Sequence, residues 1–291
     1  MIAIDAMMVC LDLSDIDEKL VAFSRSICER LSVKKVYFVH NIKTYELSDD
    51  FRETFGDIDL SKEVEANISD IVAEHFEGGC DHEILVSEEP NTEVMMADLV
   101  KRYNVKLTLL GKRMSNKSTG ALGTKLLRVL PCSIIVFPET ASFNIERVLA
   151  PIDFSDASVH ALRLSKSLTD QLGLNLEIMH VYKLPTQYFP LISEEKAVKK
   201  AEEVVSGRFR ELQKRHQEIA GVPYALVRAA GKSTAERICL QLRKGKHDLL
   251  VLGLKGNNPI PSLSLGSVPT QIYNMDIDTP LWLVYSEAVI K

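Results

Sequence analysis

Short apolar runs alternate with longer amphipathic ones along the chain, and the whole alternation occurs twice. In the first half the apolar runs fall at 7–12, 34–40, 82–87, 106–111 and 133–137. They are rich in Val, Ile, Leu and Phe and lack strict polar alternation, as strands buried on both faces do. Between them, SDIDEKLVAFSRSICERL places Leu20, Phe23, Ile27 and Leu31 on one stripe, with Ser14 as the expected N-cap and acids in the first turn. Residues 61–77 and 91–103 share the helical period. The second half predicts strands near 147–152, 175–182, 224–229, 248–253 and 281–285, and helices over 156–172, 193–219, 233–244 and 267–276. The charged stretch 193–219 reads as a solvated amphipathic helix with Ala197, Val204, Val205, Phe209 and Leu212 on its inner face. Strands alternating with helices predict βαβ units, hence an α/β fold with a parallel sheet and helices on both faces. Such sheets take ligands beyond the carboxyl ends of their strands, at the switch point.

The two halves match residue by residue. Asp12, Ser14 and Asp15 correspond to Asp153, Ser155 and Asp156 at an offset of 141 (153 − 12), and Ser24 and Ser26 correspond to Ser165 and Ser167. KLTLLGKRM at 106–114 answers DLLVLGLKG at 248–256 with the offset drifted by one. Solenoid repeats run roughly 20–50 residues, whereas this period is the size of a small domain. The chain therefore divides into domains at 1–140 and 146–291, joined by the polar, Pro-broken PETASFNIE at 138–146. Each half ends in an apolar strand, CSIIVF and LWLVY, expected at a sheet edge that needs cover. Packing of the halves as an intrachain pseudo-dimer, with Trp282 between them, would supply it.

Composition narrows the function classes. A net charge of −5 argues against a nucleic-acid partner. No apolar run reaches the 18 or so residues of a membrane span, and the N-terminus lacks the basic flank of a leader, so a cytoplasmic location is expected. Five cysteines with no CxxC or His-flanked spacing point away from a disulfide framework or zinc site. Cys10, in a strand-like run, reads as a buried thiol.

One motif carries chemistry. After the fourth strand of the second half, Gly253, Gly256 and Gly266-Ser267 stand in the spacing G-x2-G-x9-G-S. Gly253 lets backbone approach a ligand without a Cβ, and Gly256 lets the loop turn away. Gly266 and Ser267 open a helix whose free N–H groups suit phosphate oxygens. The motif lacks the GK[ST] of a P-loop, and Lys255 precedes the loop instead of closing it.

Together with PIDFSDAS (151–158), HVY (180–182) and LLVLGLKG…LGSV (249–268), this motif resembles the universal stress proteins. In the first half CLDLSD (10–15), VHN (39–41), LLG (109–111) and GALGTKLLRVLPCSIIVF (120–137) extend the resemblance to nearly the whole chain, as a tandem of two such domains. The resemblance implies two flavodoxin- or Rossmann-like domains, each a five-stranded parallel sheet in the order 3-2-1-4-5. It also implies ATP, or ADP or AMP, bound in the second half. Asp153 would then contact the adenosine, and the backbone at Val181 would hydrogen-bond adenine. Pro151 and Ile152 would line the adenine slot, with Leu252 beside Gly253. Gly253 would meet the ribose, Gly256 the phosphates, and Gly266, Ser267 and Val268 the phosphate chain. By analogy, Asp153 and Ser267 could share a magnesium ion with those phosphates.

The first half departs from the pattern. Met114 stands where the second glycine belongs, Ala121 replaces the serine, Cys10 replaces the proline, and the loop to Gly120 is four residues shorter. A degenerate nucleotide site is expected there, although Asp12 survives. His40 and His180 occupy equivalent places after the second strand and read as strand-end caps, while His160, His216 and His247 fall in polar, exposed-looking stretches. GKSTAE at 231–236 reads as a helix start capped by Ser233. No metal ligand set, nucleophile or general base is legible, so at most slow ATP hydrolysis is expected. The leading reading is an ATP-binding stress-response sensor or regulator that signals to a protein partner, with or without homodimerisation. The alternatives are a nucleotide-free interaction scaffold and an adenine-nucleotide hydrolase-like enzyme.

Overall fold

The apolar runs become strands, and the ladders within each unit are parallel. The computed structural model describes residues 2–43, 58–113, 119–184, 193–254 and 265–286, in two units, Met1–Phe143 and Asn144–Lys291. The first unit runs β1 (Ala3–Cys10), α1 (Ile16–Arg30), β2 (Ser32–Asn41), α2 (Leu60–His75), β3 (Asp81–Ser87), α3 (Thr92–Arg102), β4 (Leu107–Lys112), α4 (Thr119–Val129) and β5 (Ser133–Pro138). Its strands lie in the order β3-β2-β1-β4-β5, with Met7 paired to Val36 on one side and Leu107 on the other. The second unit runs β6 (Arg147–Pro151), α5 (Asp156–Leu172), β7 (Asn175–Tyr182), α6 (Glu194–Arg215), a 3-10 turn (Gln217–Ile219), β8 (Tyr224–Arg228), α7 (Thr234–Gly245), β9 (Leu249–Gly253), α8 (Ser267–Tyr273) and β10 (Leu281–Val284). Its order, β8-β7-β6-β9-β10, repeats the 3-2-1-4-5 arrangement.

Burial on both faces explains the continuous apolar runs. Met7, Met8, Val9, Val36 and Phe38 are inaccessible in the first unit, as are Val148, Leu149, Ile178, Leu250 and Val251 in the second. Each such side chain stabilises the fold by about 1.5–3 kcal/mol relative to exposure. Helix starts are chemically specified. Ser155 caps α5 by accepting from the Ser158 amide, and Gly173 ends that helix at φ +68°, in the left-handed region open to glycine. Ser233 and Glu236 form a reciprocal capping box on α7, as the sequence predicts for GKSTAE.

Three expectations need correction. Ser14 does not cap α1: Asp15 occupies that position, and the Ser14 hydroxyl instead donates to the Asp12 carboxylate. Val204 is 52% exposed, since Val205, Phe209 and Leu212 already fill the inner stripe of α6. His247 is buried, not exposed, with Nε2 3.1 Å from Glu177 Oε2.

The order of strands reverses beside β6 and β9, and there backbone meets backbone. A Cβ on Gly253 would lie 2.7 Å from the Ala157 carbonyl carbon, 2.8 Å from its oxygen and 3.0 Å from the Ser158 nitrogen. A Cβ on Gly111 would meet only the Leu20 and Ile16 side-chain ends, at 3.0–3.1 Å. Those ends can change rotamer, whereas the first turn of α5 cannot move without breaking its cap. Gly253→Ala should therefore destabilise the protein by about 1–3 kcal/mol, and Gly111→Ala by less than about 1 kcal/mol. Denaturant titrations followed by circular dichroism test this; equal losses at the two positions would refute it.

Candidate functional site

The second unit builds its site at the carboxyl ends of β6 and β9. The Ile152 amide donates to the Met179 carbonyl at 2.8 Å, continuing the β6–β7 ladder one residue past Pro151. Pro151 and Ile152 are buried, and Asp153 then emerges into solvent. Phe154 adopts φ +65°, the left-handed conformation that reverses the chain into α5. The turn is held from both sides. Asp153 Oδ1 accepts from the Ser155 amide at 2.9 Å and its hydroxyl at 2.5 Å. Ser158 Oγ accepts from the Asp153 amide at 3.3 Å and donates to the Ser155 carbonyl at 3.0 Å. Burial raises the Asp153 pKa, but the hydrogen bonds from Ser155 and Ser158 outweigh it, and the carboxyl sits below its ordinary value.

Ser158 also ties β9 to this turn, because its amide nitrogen is among the atoms nearest Gly253. Leu252 is buried and pairs with Leu283. Beyond it, the Leu254 amide donates to the Val284 carbonyl at 2.9 Å, and the Gly266 amide donates to the Leu254 carbonyl at 3.0 Å. That bond brings the start of α8 back to the end of β9. Ser267 opens α8 exposed and Val268 follows half-buried. Pro151, Ile152, Asp153, Leu252, Gly253, Gly266, Ser267 and Val268 thus share the β6–β9 end of the sheet, and Val181 lies at the end of the adjacent β7. Gly256 lies outside the described residues.

His180 caps a strand end, as its position suggests. Its Nδ1 lies 2.7 Å from the Ile152 carbonyl, and His40 Nδ1 lies 3.0 Å from the Leu11 carbonyl in the first unit. A carbonyl can only accept, so Nδ1 carries the proton. Burial pushes both imidazoles below their ordinary pKa and keeps them neutral. The Phe154 ring lies 4.9 Å from that of His180, tilted by 52°, and the Arg208 guanidinium lies 4.5 Å above the Phe154 ring. Sequence reasoning missed this cluster because Arg208 joins it from α6. Among the described residues no group of three or more His, Cys, Asp and Glu side chains could hold a metal ion.

The equivalent turn of the first unit has different chemistry. Leu13 takes the left-handed φ of +58° in place of Phe154. Asp17, at the Ser158 position, is buried and accepts from the Asp12 amide at 3.2 Å and the Leu13 amide at 2.8 Å. Asp12 itself pairs with Arg113 at 3.2 Å. Cys10 is half-buried, with its sulfur 3.7 Å from that of Met96. Beside these residues a cavity of about 820 Å3 opens, lined by Leu13, Ile16, Met96, Leu110, Arg113 and Leu126 among others. The exchange of Ser158 for Asp17 was visible at the 141-residue offset, though not its burial. Met114 lies outside the described residues, and Ala121 falls in α4.

Burial pushes the Asp17 carboxyl up to about 7, against the downward pull of the Asp12, Leu13 and Ser14 amides and helped by the Asp12 charge. The folded state then holds a proton that the unfolded state releases near pH 4, so this group favours folding below pH 4 and loses that contribution as pH rises to about 7. Asp17→Ser, which copies Ser158, should remove that slope. The variant should gain melting temperature relative to the parent between pH 4 and 7 and keep a constant difference above pH 8. Parallel pH profiles of melting temperature for the two chains would contradict this.

The model of the universal stress protein family matches residues 144–274. Among solved structures, a universal stress protein from Archaeoglobus fulgidus is similar over 96% of each chain, at 16% identity and TM-score 0.63. A functionally unknown protein from Pseudomonas aeruginosa is similar over 99% of this chain and 95% of its own, at 12% identity and TM-score 0.65. A universal stress protein crystallised in complex with cAMP matches 48% of this chain and 98% of its own, at 20% identity and TM-score 0.37. No curated protein matches. The likenesses to the Archaeoglobus fulgidus and Pseudomonas aeruginosa proteins show a shared fold, and the family match shows that residues 144–274 form a universal stress protein domain.

Proposed function

We propose that the second unit binds an adenine nucleotide, with ATP as its ligand, and that the chain acts as a stress-response sensor or regulator. The observation that carries this reading is the convergence at the ends of β6 and β9. An ionised carboxylate on Asp153, the Cβ-free backbone at Gly253 and the Gly266–Ser267 start of α8 are tied together through Ser158 and Leu254. Asp153 would accept from ribose hydroxyls, which a carboxylate held below its ordinary pKa does well at neutral pH. Pro151, Ile152 and Leu252 would form the apolar floor for adenine, and the backbone at Val181 would supply its hydrogen bond. Gly253 already has a packing reason to be glycine, so contact with ribose would be a second use of the same missing Cβ.

Phosphates would lie along Gly256 and the amides of Gly266, Ser267 and Val268. Since α8 has only seven residues, individual N–H groups would matter more than a summed dipole. A magnesium ion, if bound with the nucleotide, would sit between the phosphates and the Asp153 and Ser267 oxygens. On this proposal the chain signals by its bound state, with at most slow ATP hydrolysis.

On this proposal the first unit is a second universal-stress-like domain with a degenerate nucleotide site. Its cavity falls within the roughly 300–1,000 Å3 range of ligand pockets. Yet Asp12 is engaged by Arg113 and Ser14, and Leu13, Ile16 and Leu126 make the wall apolar. A nucleotide-free scaffold would share the fold but leave Asp153 without a ligand.

Equilibrium dialysis of the full chain against ATP should therefore give one site. Gly256→Met, which reproduces the residue of the first half, should weaken binding at least about tenfold, or about 1.4 kcal/mol. Asp12→Asn should leave ATP affinity unchanged. Two equivalent sites, or undiminished binding by Gly256→Met, would overturn the assignment.

A further inference from the structure

Two cysteines that lie 52 residues apart in sequence meet in the first unit. Cys28 Sγ, near the end of α1, lies 2.8 Å from Cys80 Sγ, which immediately precedes β3. Both residues are half-buried, so solvent reaches the pair. A disulfide bond is about 2.05 Å long, so less than 1 Å of approach separates this dithiol from a covalent link.

The turn that delivers Cys80 is specific. Gly78 takes φ +76°, the left-handed region, and the Gly79 amide donates to the Phe76 carbonyl at 2.9 Å. A Cβ on Gly79 would lie 2.4 Å from the Phe76 ring, so only glycine lets that ring fold under the turn and Cys80 swing back to α1. The other thiols face different groups: Cys10 meets Met96 at 3.7 Å, Cys132 meets Thr108 at 3.1 Å and Cys239 meets Met275 at 3.5 Å.

We propose that Cys28 and Cys80 form a site of reversible covalent modification, converted to an intramolecular disulfide by a small-molecule disulfide such as oxidised glutathione. One of the two cysteines, as its thiolate, attacks one sulfur of the reagent, forming a mixed disulfide and releasing one thiolate. The other loses its proton to water and attacks the sulfur of the first, forming the Cys28–Cys80 bond and releasing the second thiolate. Two protein thiols and one reagent disulfide thus become one protein disulfide and two reagent thiols. Burial and the neighbouring Cys80 sulfur push the Cys28 thiol up, and the 2.8 Å contact lets either sulfur resolve a mixed disulfide formed on the other. The bond would tie α1 to the edge strand β3 across a loop containing β2 and α2.

The test equilibrates the full chain with glutathione buffers of increasing oxidised fraction, quenches with acid, and reads intact mass and non-reducing peptide maps. The parent should lose two hydrogens, carry no lasting glutathionyl group, and yield one cross-linked peptide pair holding Cys28 and Cys80. Cys28→Ser should trap one glutathionyl group on Cys80. Cys80→Ser should likewise trap one glutathionyl group, on Cys28. The parent's peptide map decides the matter even where a serine variant folds poorly. A parent that stays a dithiol in buffer oxidising enough to close dithiothreitol, stable glutathionylation of the parent at either cysteine, or a Cys28→Ser chain that still loses two hydrogens would each overturn the proposal.

Discussion

The β9 backbone touches the first turn of α5 at Gly253, and the geometry of the second unit's site depends on that contact. Strand and helix can lie this close only where the strand has no side chain, because a Cβ would enter the Ala157 peptide group. Close approach fixes Ser158, and Ser158 fixes the Asp153 amide through its hydroxyl. A carboxylate at the end of one strand and a backbone segment at the end of its neighbour are therefore positioned by one contact. Ligand chemistry at a switch point needs such linkage, since two strand ends supply the groups and neither alone sets their spacing.

The two units solve the same turn with different charge. In the second, a neutral hydroxyl on Ser158 receives the loop amide, and hydrogen bonds from Ser155 and Ser158 keep Asp153 ionised. In the first, a carboxylate on Asp17 receives the Asp12 and Leu13 amides. Two amides satisfy an anion better than one, but the anion is buried and lies beside a second carboxylate, Asp12. Arg113 compensates by pairing with Asp12. Arg113 thus engages the carboxylate that corresponds to Asp153.

Much of this architecture was legible. Continuous apolar runs gave all ten described strands within a few residues, because strands covered on both faces cannot hide their composition. Ser155 and Ser233 announced helix starts, and the repeat offset located the equivalent turns. What escaped was set by partners distant in sequence. Ser14 matched a cap pattern yet its hydroxyl turned to Asp12, while the Asp17 amide that such a cap would hold donates to the Ser14 carbonyl. Val204 fitted a helical stripe that its neighbour Val205 fills. His247 sat in a charged stretch, but Glu177 in β7 supplies the acceptor that lets it be buried. The Cys28–Cys80 contact depends on a glycine turn whose purpose is invisible until the Phe76 ring is placed.

A duplicated domain keeps its core under a different constraint from its ligand site. Core positions answer to packing on both faces, so Met7 and Val148 can differ in shape while each stays sealed between sheet neighbours. The turn after the first strand answers to hydrogen-bond accounting: exposed or not, its amides require acceptors. Serine and aspartate both supply one, so either sequence folds. They differ in the acid–base group they place in the turn, and the neighbouring carboxylates differ in partner: Asp153 takes Ser155, whereas Asp12 takes Ser14 and Arg113. The left-handed turn at Phe154 and Leu13 persists in both units because its backbone geometry is indifferent to which acceptor holds it.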